Sequence, residues 1–82
     1  FAGNFEVVKL LLSDKRVHLN AKNDNIVTPL YACCQNGFHQ IVELLLNDPR
    51  TDINIATKRG RTPFYIACSK GHKKVVNIFL SM

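Results

Sequence analysis

The chain resembles itself. Shifted by 34 residues, it brings Gly3, Gly37 and Gly71 into register, together with Leu10 and Leu44, Asn20 and Asn54, Thr28-Pro29 and Thr62-Pro63, and Tyr31 and Tyr65. Fifteen of the 48 overlapping positions are identical, where unrelated sequence gives about three, and a period between roughly 20 and 50 residues marks a stack of supersecondary units. A single unit of that size cannot bury its own apolar face. The period therefore restricts the fold to a solenoid in which each copy packs on its neighbours.

Local chemistry supplies the content of each unit. Thr28 and Thr62 suit a helix N-cap, because the hydroxyl can accept from the first free helical N–H groups. Pro29 and Pro63 suit the following position, where no donor is needed. Gly37 and Gly71 fall where a helix C-terminus commonly turns left-handed, which limits the first helix of each unit to about two turns. A second helix follows each glycine, with apolar residues at Val7, Val8 and Leu10 to Leu12, at Ile41, Val42 and Leu44 to Leu46, and at Val75, Val76 and Ile78 to Leu80. That density exceeds one amphipathic stripe, so these helices face more than one partner. Between units lie SDKRVHLNAKNDNIV and NDPRTDINIATKRGR, which read as a loop followed by a projecting, hairpin-like turn.

The stretches TPLYACCQNG, TPFYIACSKGH, EVVKLLL and IVELLLN resemble the ankyrin repeat family over the whole chain. The resemblance implies an all-α solenoid of helix-turn-helix units joined by hairpin-like loops. It divides the chain into a partial repeat at 1–22, a full repeat at 23–56 and a truncated repeat at 57–82. Three departures from the family pattern carry expectations. Tyr31 and Tyr65 stand where the family usually has His, and are expected to be partly buried with their hydroxyls reaching a polar group or water. Ile26 occupies the turn position that Gly60 keeps, and a β-branched residue is strained at positive φ, so the second hairpin tip is expected to be remodelled. The loops after the second helices are one residue longer than the common unit. The first and last repeats show no polar capping face, so the sequence reads as a segment of a longer array, able to stack end to end with further copies.

Composition excludes several classes of function. With 46% hydrophobic and 21% charged residues the chain is a folding one, and no apolar stretch approaches the roughly 20 residues of a membrane span. Cys33, Cys34 and Cys68 cannot all pair internally, which points to a reducing, intracellular and cytoplasmic setting. His18, His39 and His72 are scattered rather than paired with them as zinc ligands would be. Neither a metal nor another cofactor is expected. His72 resembles the family's structural histidine, Cys34 and Cys68 read as packing residues, and no nucleophile–base pair or phosphate-binding glycine loop is present. An enzyme is not expected.

Charge is the feature that rises above the fold. Residues 1–56 hold five cations and six carboxylates, whereas residues 57–82 hold Lys58, Arg59, Arg61, Lys70, Lys73 and Lys74 and no acid. Relatives in the family contact their partners through the hairpin tips and inner helices of the concave face. Position by position, the resemblance places Asp24, Asn25, Val27, Gln35 and Asn36 there from the second repeat, and Lys58, Arg59, Arg61, Ser69 and Lys70 from the third. Lys15 and Arg16 belong to a loop away from that face. The expected function is a non-catalytic protein-interaction module whose partner is another protein, an acidic one. A second reading is an anion-recognition module for nucleic acid or phosphorylated ligands, although RNA would favour aromatic platforms among the cations. The plain alternative of solvated surface charge stands beside both.

Overall fold

The computed structural model describes residues 5–14, 18 and 20–82. Lys15, Arg16 and Gly3 lie outside them. Five helices follow in order: α1 (Phe5–Leu12), α2 (Pro29–Asn36), α3 (His39–Asn47), α4 (Pro63–Ser69) and α5 (Lys73–Leu80). Helices α2 and α4 pack side by side as an inner row, and α1, α3 and α5 stack behind them as an outer row. The described residues form no strand, so the fold is all-α.

The expected start and stop signals operate. The Thr28 hydroxyl accepts from the Tyr31 N–H at 3.2 Å, and the Thr62 hydroxyl accepts from Tyr65 at the same distance. Both caps are extended, at φ −90° and −85°, and each is followed by its proline at the head of the helix. At the other end of α2, Gly37 takes φ +73° and the Phe38 N–H returns to the Cys33 carbonyl at 3.0 Å. A methyl group at Gly37 would meet the His72 ring at 2.8 Å. Glycine is required there twice over, for its backbone angle and for the ring seated against it.

The second hairpin tip corrects an expectation. Ile26 adopts φ +59° and the turn closes regardless, with the Ile26 N–H donating to the Asn23 carbonyl at 2.9 Å. The corresponding bond from Gly60 to Thr57 is 2.8 Å long. The two tips thus share one geometry. Asn23 explains why the isoleucine is tolerated, because its side-chain oxygen accepts from the N–H groups of both Asn25 and Val27 at 3.0 Å. The turn is over-determined by its neighbours, which is the condition under which a strained residue persists.

The core is concentrated in the middle of the stack. Leu30, Cys33, Cys34, Ile41, Val42 and Leu45 are sealed between the helices on either side, joined by Ile66, Ala67 and Val75 from the next unit. Behind the helices the loops are stapled together. The Asn20 carboxamide donates to the Arg50 carbonyl at 2.8 Å and accepts from the Asp52 N–H at 2.7 Å. The Arg50 guanidinium donates to the Leu12 carbonyl at 2.8 Å and to that of Asp14 at 3.4 Å. It thereby satisfies the last carbonyl of α1 and a second one in the turn beyond it. The same guanidinium pairs with Asp48 at 2.8 Å.

Candidate functional site

The second and third hairpin tips and helix α2 meet in a cleft. The Lys58 N–H donates to the Asn25 carbonyl at 3.1 Å, which fixes the third tip against the second. Within the third tip, Thr57 and Arg61 are paired through a 2.9 Å backbone bond, and the Thr57 hydroxyl accepts from the Arg61 N–H at 3.3 Å. Helix α2 contributes Tyr31 and Gln35, which its four-residue spacing sets on one face. The result is a cleft of about 380 Å³ lined by Asn25, Val27, Tyr31, Gln35, Thr57, Lys58, Arg59 and Arg61. Its lining holds three cations and no carboxylate. Beside it the Arg61 guanidinium lies 5.8 Å from the centre of the Tyr65 ring, within cation–π reach.

Six of the ten residues marked by the sequence therefore line one cleft: Asn25, Val27, Gln35, Lys58, Arg59 and Arg61. The other four are exposed but do not line it. Asp24 sits in the second tip, Asn36 ends α2 with its carboxamide donating to the Ala32 carbonyl at 2.8 Å, and Ser69 and Lys70 close α4. Two lining residues were not marked as site residues, Tyr31 and Thr57. The signal for Tyr31 was present in its position one turn before Gln35.

The two tyrosines diverge from the shared expectation. Tyr31 is 6% exposed and Tyr65 50% exposed. Tyr31 is covered because α4 packs on α2, while no described helix packs on the equivalent face of α4. Neither hydroxyl has a hydrogen-bond partner among the described residues. The cysteines separate in the same way. Cys33 and Cys34 are fully buried, with burial pushing both thiols up to about 12, whereas Cys68 is exposed and so is not the packing residue its register implied.

The remaining surface offers less chemistry. Lys73 and Lys74 line a separate groove with His39 and His72. His72 is engaged structurally, its Nε2 donating to the Gln35 carbonyl at 2.9 Å across the repeat boundary. An apolar cavity of about 460 Å³ between α1, α2 and α3 is lined chiefly by residues such as Val8, Leu11, Pro29, Ala32 and Leu45. Among the described residues no cluster of three or more His, Cys, Asp or Glu side chains is placed to hold a metal ion. Among them, too, no helix is long and apolar enough to cross a membrane.

A family model described as ankyrin repeats in three copies matches residues 1–82. A search of curated proteins returns no match. Repeats of this kind are generally protein–protein interaction modules and are typically not enzymes. With the Thr-Pro caps, the left-handed glycine ends and the two rows of short helices in place, the chain belongs to the ankyrin repeat family.

Proposed function

We propose that the chain binds a partner protein through its concave face, that the cleft between the second and third hairpin tips is the centre of the contact, and that the partner is acidic there. The observation carrying this reading is the convergence of Lys58, Arg59 and Arg61 on one cleft without a lining carboxylate. Cations dispersed over a surface are ordinarily solvated and contribute little. Three facing one concavity reinforce each other's field, because low-dielectric walls focus it. Asn25 and Gln35 add donors and acceptors suited to a peptide backbone. The three free thiols agree with a reducing compartment, and we place the protein inside the cell on that basis.

Charge reversal tests the assignment. In Arg59→Glu/Arg61→Glu, capture of acidic partners from cell extract is expected to fall at least tenfold at moderate salt, and identified partners are expected to associate more slowly. The matched control Lys73→Glu/Lys74→Glu alters the separate groove and is expected to cost less than threefold. Both variants should melt within a few degrees of the parent, since Arg59, Lys73 and Lys74 are exposed and Arg61 is half-buried outside the core, and surface substitutions usually stay within about 0.5 kcal/mol. Equal losses in the two variants would mean unspecific charge attraction. Retention in both would return the cations to solvated surface.

A further inference from the structure

Tyr31 is more than nine-tenths buried, yet its hydroxyl donates to no acceptor among the described residues. Its backbone is committed, the N–H being held by Thr28, but the phenol oxygen is not. Nor is that oxygen sealed away: among the described residues the buried polar atom left without a partner is the Thr51 hydroxyl oxygen. The Tyr31 hydroxyl therefore keeps some contact with solvent, and Tyr31 is one of the residues that line the cleft, with Asn25, Gln35, Lys58, Arg59 and Arg61. In the free protein, water satisfies such a group. A ligand that fills the cleft displaces that water and must supply an acceptor, or binding is weakened by a donor left buried and unpaired.

The surrounding groups restrict what the acceptor can be. Two guanidinium groups and an ammonium at the rim call for an anion, and a planar carboxylate can accept from a guanidinium and a phenol together. Val27 adds an apolar wall, and the carboxamides of Asn25 and Gln35 complement peptide groups. Base stacking is poorly served here: the Tyr31 ring is buried, and the Tyr65 ring already carries the Arg61 guanidinium. We infer that Tyr31 is a specificity-determining residue, donating its hydroxyl to an acidic side chain of an extended peptide laid across the two hairpin tips, with Arg59 and Arg61 holding the same carboxylate. The inference rests on the proposed role of the cleft and names the group that the cleft recognises.

The experiment uses a fluorescein-labelled (Glu-Ala)5 peptide and its (Gln-Ala)5 analogue, titrated by anisotropy into the whole chain, Tyr31→Phe and Arg59→Glu/Arg61→Glu. The acidic peptide is expected to bind and the glutamine analogue at least tenfold more weakly. Tyr31→Phe is expected to lose about three- to tenfold at an unchanged melting temperature. That loss persists as salt is raised, because a short hydrogen bond is screened much less than the wider field. The arginine reversal is expected to lose most of its binding at low salt. In parallel, fluorine resonances of 3-fluorotyrosine in the unmutated chain, assigned with Tyr65→Phe, report directly on the ring, and the Tyr31 signal is expected to move with the acidic peptide.

Wild-type affinity in Tyr31→Phe with loss in the arginine reversal would overturn the tyrosine assignment and leave the cleft reading intact. Unchanged binding in both would overturn the two together. Equal binding of the glutamine analogue, or stronger binding of oligouridylate than of the acidic peptide, would overturn the carboxylate as the recognised group. A stationary Tyr31 resonance on saturation would do the same for the tyrosine.

Discussion

Single residues decide whether each unit closes, and the glycines show how separable the causes are. Gly60 sits at φ +77°, where an added methyl group would meet nothing within 4 Å, whereas Gly37 at φ +73° faces the His72 ring at 2.8 Å. Gly60→Ala is therefore expected to cost only the left-handed backbone penalty, about 1–2 kcal/mol. Gly37→Ala adds displacement of a ring that carries an inter-repeat hydrogen bond, for a total of about 2–4 kcal/mol. Chemical denaturation of the two variants checks the ordering, and equal losses would show that His72 yields freely. Much at this scale was legible in the sequence. Thr28, Thr62, Gly37 and Gly71 carry their roles in residue type and spacing alone. Ile26 was legible only as a conflict, because the compensating bonds that the Asn23 side-chain oxygen accepts depend on an orientation that residue type does not specify. The difference between Tyr31 and Tyr65 was hidden for a related reason: identical residues in register differ when a helix covers one and not the other.

At the scale of elements, the short helices have little stability of their own, since isolated helices below about 12–15 residues are marginal in water. They persist through lateral packing and through the loop staple at Arg50. This staple was not legible, although Asp14/Asp48, Arg16/Arg50 and Asn20/Asn54 all repeat at the 34-residue period. Long-range bonds from Asn20 to the 50–52 backbone leave no local pattern. The staple has a pH signature. Hydrogen bonds from Arg50 lower the Asp48 carboxyl from its ordinary 3.8 to about 2. The unfolded chain therefore takes up the proton first as pH falls. The pair's contribution is complete above the ordinary carboxylate range and is lost as pH drops through it toward about 2. Asp48→Asn is expected to lower the melting temperature at pH 7, and the gap from the parent should close as pH approaches 2. A gap independent of pH would mean that the pair acts through packing rather than charge.

For the molecule as a whole, the repeat leaves apolar side chains without cover among the described residues. Leu10 is 74% exposed and Leu80 70%, with Phe64, Tyr65 and Met82 also open to solvent. Patches of that kind favour association. The 82-residue chain is accordingly expected to show a mass that rises with concentration in light scattering, and a melting temperature below about 70 °C in keeping with a small core. A concentration-independent monomer melting above that temperature would contradict the expectation. Solenoid architecture was legible from the period alone, because stacking is what a repeated, half-buried unit requires. The cleft was legible only in part. The family pattern marked six of its eight residues, but Asp24, Asn36, Ser69 and Lys70 stay outside because the cleft is built by the tip-to-tip bond between Lys58 and Asn25, which sequence spacing does not specify. Partner binding at that cleft is checked by a backbone amide map of the isotopically labelled chain titrated with the acidic peptide. The largest shifts are expected at Asn25, Val27, Gln35, Lys58, Arg59 and Arg61, diminishing as salt is raised. Shifts centred instead on the outer helices α1, α3 and α5, or on the Lys73–Lys74 groove, would contradict it.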